Sequence, residues 1–331
     1  MRYTIAALIV FASACNGTAP VQVEQQPRPD SVLEVVVANQ GSRSASVLDA
    51  AGITMRHVSV GEGPHEAAVS PNGRIAVVTI YGAQTPGNRL SVIDLAGDSV
   101  VRTIDLGAYT RPHGVVFLAG SSDRVAVTSE STQNVVLVNV ATGTIEGAVP
   151  TQARASHMVA VTADGVRGFT ANVIDHTVSE LDLVNRRFVR SFAVPNQPEG
   201  IAVTPDGREV WVGSNATGAV TVIATQTGTV AHTFSGIVFP YRLTASPDGK
   251  LIAIVDGQGG KLHIADVAQH RIIGAVDLTQ PRGVAFSPDG KTAYVTQGGG
   301  SLAIIDVAGL QVTRSIPVQI SPDGVGVGMR R

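Results

Sequence analysis

One cysteine, one tryptophan and an aromatic content of 4% set the first limits on this 331-residue chain. A lone Cys15 allows no intrachain disulfide and no Cys-x-x-Cys-His haem attachment. So few aromatic rings speak against a stacking platform for bases or sugars. Charged residues make up only 15% and the net charge is −2, with no basic stripe, so nucleic acid is not an expected partner. His-Glu-x-x-His and Gly-x-Ser-x-Gly are both missing, which removes the two commonest one-line signatures of a hydrolase. No stretch carries a convincing helical period. The apolar run Ile5–Ala12 is too short to cross a bilayer.

What the chain does have is a repeated phrase. Its clearest copy is Pro281-Arg282-Gly283-Val284-Ala285-Phe286-Ser287-Pro288-Asp289-Gly290. Related copies begin at Pro64, Pro112, Ser156, Pro198, Pro240 and Pro322, at steps of 48, 44, 42, 42, 41 and 41 residues. Each unit holds short runs rich in Val, Ile and Ala, bounded by Gly, Pro or Asp, which read as four antiparallel strands. Pro-Asp-Gly suits a tight turn, since Pro presets φ, Asp bonds its own backbone and Gly accepts positive φ. A period near 40 with four strands per unit predicts an all-β, seven-bladed β-propeller. Leu33–Ala38, Ala45–Asp49 and Ile53–Val60 match second, third and fourth strands, and Pro322–Met329 matches a first. The two ends are therefore expected to complete one blade and close the ring over residues 32–331, leaving no open sheet edge.

Ahead of the repeats, residues 1–14 read as a signal peptide: Arg2, the apolar run, then Ala12-Ser13-Ala14. Cys15 follows directly. The arrangement resembles a bacterial lipobox, with Ala12 where Leu is commoner, and implies lipidation of Cys15. Ordinary cleavage leaving a free thiol is the alternative. Asn16 does not resemble an inner-membrane retention signal. Residues 15–31, rich in Gln, Pro, Thr and Gly, read as a flexible tether. The expected location is the bacterial cell envelope, on a membrane through the lipid.

Ala293-Tyr294-Val295-Thr296, Leu90-Ser91-Val92-Ile93-Asp94 and the Gly290-Lys291 after Ser-Pro-Asp resemble the YVTN-type, or YncE-like, propeller repeat family. The resemblance runs from about residue 32 to the C-terminus. It implies the fold strongly and an activity hardly at all. More distant relatives with similar blades include lactonases and the propeller domains of metal-containing reductases.

The residue after each phrase-opening Pro or Ser varies: His65, His113, His157, Glu199, Tyr241, Arg282 and Asp323. First strands line a propeller's channel, so these seven are expected to form a ring at its mouth. Loops between second and third strands should add Asn39, Glu130, Asn172, Asp175, His176 and Asn215. His65, His113, His157 and Glu199 are candidate ligands for zinc or copper, with His113 central and binding weakening below about pH 6. Tyr241, Arg282, Asp323, Asn172 and Asn215 are candidates for binding a small ligand. Arg282 and Asp323 are expected to form an ion pair rather than a catalytic pair. Three readings stand: a metal site, a polar pocket for a small anion or peptide, and a pore lining that faces water. The turn residues Asn72, Asp206, Asp248 and Asp289, and the strand-end Asp94, Asp182, Asp266 and Asp306, are expected to be structural. The favoured function is a non-enzymatic scaffold for an envelope protein or small ligand. A lactonase-like metal hydrolase and a metal-handling protein are the alternatives.

Overall fold

The structure is a computed structural model that describes residues 32–49, 52 and 54–330. The signal peptide, Cys15 and the tether lie outside these residues.

Among the described residues, twenty-eight strands form seven four-stranded antiparallel sheets. Blade 1 starts at Pro64, blade 2 at Pro112, blade 3 at Ser156, blade 4 at Pro198, blade 5 at Pro240 and blade 6 at Pro281. Blade 7 joins Pro322–Arg330 to Val32–Asn39, Ser44–Asp49 and Met55–Ser59. Its closing register runs antiparallel from Val32 opposite Arg330 to Asn39 opposite Pro322. Sequence reasoning thus placed the ring closure correctly.

Seven apolar clusters fill the ring among the described residues, each shared by two neighbouring blades. Val77, Leu90, Val125 and Val136 join blades 1 and 2, while Trp211, Val222, Leu243 and Ile254 join blades 4 and 5. Sheets covered on both faces need apolar residues at successive strand positions. That is why the strands read as Val/Ile/Ala runs instead of alternating.

The turns do what the phrase predicts. In blade 6 the Ser287 hydroxyl donates to Asp289 Oδ1, which also accepts the Lys291 N–H. Ser246–Asp248, Thr204–Asp206 and Ser70–Asn72 repeat the arrangement. Asp94, Asp182, Asp266 and Asp306 accept loop N–H groups of Gly97, Asn185, Gln269 and Gly309. These carboxylates are occupied by the backbone, as expected.

The first strands carry the feature that matters for the site. Their pairing with the second strand shifts register just after the opening residue, between Pro64 and Ala67, Pro112 and Val115, and Ser156 and Val159. Such a bulge bends the strand and re-aims its side chains. Its freed N–H groups need partners, and threonines supply them. Gly114 N–H donates to Thr128 Oγ1, whose hydroxyl donates in turn to the His157 carbonyl of the next blade. Thr296 ties the Gly283 N–H to the Asp323 carbonyl in the same way. Each clamp fixes a ring residue against the neighbouring blade.

Candidate functional site

The bulges gather six of the seven variable residues, all but Arg282, at one end of the channel. Arg242 closes it. Its Nε donates to Glu66 Oε1 of blade 1 at 2.9 Å, and Nη1 donates to Glu199 Oε1 of blade 4 at 3.0 Å. Nη2 lies 2.8 Å from the same Glu66 oxygen but off the hydrogen-bond direction. The guanidinium also sits 4.1 Å from the centroid of the Tyr241 ring. Only 3% of Arg242 is exposed. Asn215 Nδ2 donates to the second oxygen of Glu199.

Beside this plug stand the three histidines, stacked in blade order. Ring centroids are 4.0 Å apart from His65 to His113 and 3.6 Å from His113 to His157. Tyr81 packs edge-on against His65 and His113, and its hydroxyl donates to Glu130 Oε2 at 3.0 Å. His113 is 1% exposed and His65 is buried, so these two do not face water in a pore, whereas His157 is half-buried. Nδ1 of each of the three is buried without a hydrogen bond. Unpaired buried polar atoms are uncommon and mark places where something else binds.

Two sets of three donors lie within 4.8 Å of one another: His65, Glu66 and His113, and His113, Glu130 and His157. His113 belongs to both, in line with its expected central place. Glu199 belongs to neither, because Arg242 and Asn215 hold it; its Oε1 stays 3.9 Å from His157 Nε2.

Other expected members stand elsewhere. The Arg282–Asp323 ion pair does not form. Asp323, 1% exposed, turns its carboxylate to His65, with Oδ2 3.4 Å from Nδ1, and Arg282 lies along Gly298. Asn172 does not face a ligand: it is fully buried and bonds Ser156, Thr177 and Ser179 within its own blade. Asn39 likewise bonds Ser44 and Ser46, Asp175 pairs with Arg154 at the surface, and His176 accepts the Gln197 N–H. Tyr241 lines the plug through its ring.

Glu66 and Arg242 went unnoticed in the sequence, although a signal was there. The third phrase position is Gly114, Gly200, Gly283 and Gly324 in four copies and Met158 in a fifth. Only Glu66 and Arg242 are charged there, and with opposite signs. The glycines beside them are needed for room: a Cβ on Gly324 would sit 2.5 Å from both Glu66 Cα and Glu66 Oε2. Below the plug a cavity of about 470 Å³ continues between Val115, Met158, Ile201, Leu243, Val284 and Val325.

Burial and charge set the protonation states. Burial alone would raise Glu66, but Arg242 and His65 outweigh it and hold the carboxyl below its ordinary value. Burial raises Glu199 in spite of Arg242, and raises Glu130 in spite of the Tyr81 hydrogen bond. Burial pushes the Tyr81 phenol up to about 12. For His65 burial works downward, yet the carboxylates of Asp323 and Glu66 win and raise it. Burial, joined by nearby positive charge, drives His113 and His157 well below the ordinary histidine value. Protons therefore compete with a ligand at these two only at lower pH than sequence reasoning expected.

A pH profile of stability follows. Unfolded histidines titrate near 6.5. As pH falls below that value, the unfolded chain takes up protons at His113 and His157 that the folded chain refuses. Stability should then fall by up to about 1.4 kcal/mol per pH unit for each. Above 6.5 the folded chain keeps a proton on His65 that the unfolded chain has lost, so this contribution fades as pH rises through the raised value. Denaturation midpoints in the presence of a chelator should peak near neutrality, and the double variant His113→Asn/His157→Asn should lose most of the acid slope. An unchanged acid slope in that variant would show that the imidazoles are not held neutral.

Comparison with known proteins agrees with this architecture. Residues 131–273 match the family model of the YNCE-like beta-propeller. By its repeat and its ring the chain is a seven-bladed β-propeller, and its middle part is similar to the YNCE-like family. A stretch of 125 residues, 37% of the chain, is 28% identical to the seven-bladed beta-propeller protein Rv1057 of Mycobacterium tuberculosis (strain ATCC 25618 / H37Rv), and spans 31% of that protein's length. Among solved structures, a chain of Kuenenia stuttgartiensis hydrazine synthase superposes with a TM-score of 0.68 over 80% of this chain and 89% of its own, at 16% identity. At that identity the likeness is one of fold alone.

Proposed function

We propose that this propeller is a non-enzymatic binding scaffold, tethered to a bacterial envelope membrane through lipid on Cys15, that takes a small ligand at its channel mouth. The observation that carries the reading is the stack of three imidazoles, in which Nδ1 of His113 and of His157 is buried without a hydrogen bond, standing on a fixed Arg–carboxylate floor. A rigid closed ring presenting unsatisfied polar atoms is suited to holding something in place. A catalytic reading finds less support, because three of the four carboxylates that could serve as general base are held by charged neighbours and the fourth by a tyrosine through one oxygen. Glu66 and Glu199 bond Arg242, Asp323 faces His65, and Glu130 accepts from Tyr81.

Native mass spectrometry of the full chain, extracted from membranes of a bacterial host in mild detergent, tests this. Two additions are expected: a diacyl mass at the N-terminus, lost in Cys15→Ser, and a small bound mass. The bound mass should vanish in His65→Asn/His113→Asn/His157→Asn while the melting curve remains cooperative. An unmodified Cys15 refutes the tether. A wild-type mouth that carries nothing, or an adduct retained by the triple variant, refutes the scaffold's site.

A further inference from the structure

Resting on that reading, we infer that the ligand of the channel mouth is a divalent transition-metal ion, held by His113 and His157 with Glu130 as the carboxylate donor. Imidazole and carboxylate together suit zinc, copper, iron or nickel.

The two donor sets that share His113 are not equivalent. In the first, every partner of His113 is already engaged. Glu66 accepts from the buried Arg242 guanidinium, and His65 Nδ1 faces two carboxylates, 3.4 Å from Asp323 and 3.8 Å from Glu66. A cation there would have to break a buried ion pair. The second set is different. Nδ1 of His113 and of His157 are both buried and unpartnered. Glu130 is engaged only through one oxygen, by the neutral hydroxyl of Tyr81, which leaves Oε1 without a protein hydrogen bond among the described residues. The tyrosine then has the place of the outer partner that orients a ligating carboxylate.

The geometry is close to what one ion needs. Donors at about 2.1 Å from a tetrahedral centre lie about 3.4 Å from one another. The three donor atoms of His113, Glu130 and His157 already lie within 4.8 Å of one another. Glu130 supplies the missing movement. It lies just beyond the strand Arg124–Ser129, at the start of a turn; its N–H donates to the Arg111 carbonyl, so the movement is a side-chain rotation. Three protein donors leave a fourth position for water or for a group on a further ligand. The backbone beside the histidines is held, since Thr128 clamps the bulge after His113 to the His157 carbonyl.

Calorimetric titration of the full chain with Zn(II), after chelator treatment and removal, is the test, with Co(II) absorption as a second readout. We expect one Zn(II) per chain and a visible Co(II) spectrum typical of mixed nitrogen and oxygen donors. His113→Asn and His157→Asn should each weaken binding by about 100-fold, and Glu130→Gln by about tenfold. The melting temperatures of all three variants should show that they are folded. No Zn(II) binding by the wild type overturns the inference, as does wild-type affinity in His157→Asn or in Glu130→Gln. An organic adduct at the mouth without Zn(II) binding would overturn the metal and leave the scaffold reading standing. A mouth empty by both mass and calorimetry overturns both.

Discussion

Deleting Asp323–Arg331 should cost the protein most of its stability. Pro322–Arg330 is the inner strand of blade 7, paired along its length with Val32–Asn39. Val325 belongs to the apolar cluster between blades 6 and 7, and Val327 packs against it. Asp323 contacts His65, its carbonyl receives Thr296, and Arg330 pairs with Glu34. Burying one aliphatic side chain contributes about 1.5–3 kcal/mol, so loss of the strand should remove on the order of 5 kcal/mol or more. That is comparable to the whole stability of many domains. The cut also leaves an unpaired edge on the channel side of blade 7. Thermal unfolding and limited proteolysis should both show the loss. A milder variant asks the same question without shortening the chain. Gly324→Val places a Cβ against Glu66 backbone, so blades 7 and 1 must part. If truncated protein melted within a few degrees of the full chain, the terminal strand would not be what closes the ring.

The architecture was legible in the sequence because it is written in local signals repeated seven times. Turn chemistry such as Ser287-Pro288-Asp289-Gly290 marks one end of a strand, and the opening proline marks the other. Counting phrases therefore counts blades, and the mismatch of units at the two termini shows how the ring closes. The mouth was legible only in part. That His65, His113 and His157 would be neighbours follows from ring order, and so does the meeting of Asp323 with His65. Ring order could not say how wide the channel is. The opening is sealed by Arg242 reaching from blade 5 to Glu66 on blade 1, a contact 176 residues apart in sequence and between blades that do not touch in the ring. Such a pairing depends on channel radius and side-chain length, which no repeat encodes. The bulge after each opening residue was equally silent, and it is what brings two consecutive residues, His65 and Glu66, into one site. The same limit explains the misplaced expectations. Asn172 and Asn39 occupy loop-like positions in the phrase, yet their amides turn inward to serine hydroxyls of their own blades. Arg282 is adjacent to Asp323 in ring order, but the carboxylate finds a nearer partner in His65.

The plug leads to the second large effect. Arg242→Ala should destabilise the protein by about 3–5 kcal/mol, because it leaves Glu66 and Glu199 buried without their counter-charge. The signature that separates this from lost packing is the response to acid. In the native protein Arg242 holds Glu66 below its ordinary value, so this group stabilises the fold above that value and stops doing so as pH falls through the lowered one. Without the guanidinium, burial acts unopposed by that charge and the Glu66 carboxyl rises. The variant's deficit should then shrink as pH is lowered and Glu66 takes up a proton, the opposite trend to wild type. A second substitution makes the same point at neutral pH. Glu66→Gln removes the stranded charge with nearly the same shape, so Arg242→Ala/Glu66→Gln should be more stable than Arg242→Ala alone, a coupling of roughly 1–3 kcal/mol in a double-mutant cycle. Denaturant midpoints for the four proteins at two pH values suffice. If the two substitutions simply add, and the single variant follows the wild-type acid limb, then Arg242 contributes bulk to the channel and not the charge that closes it.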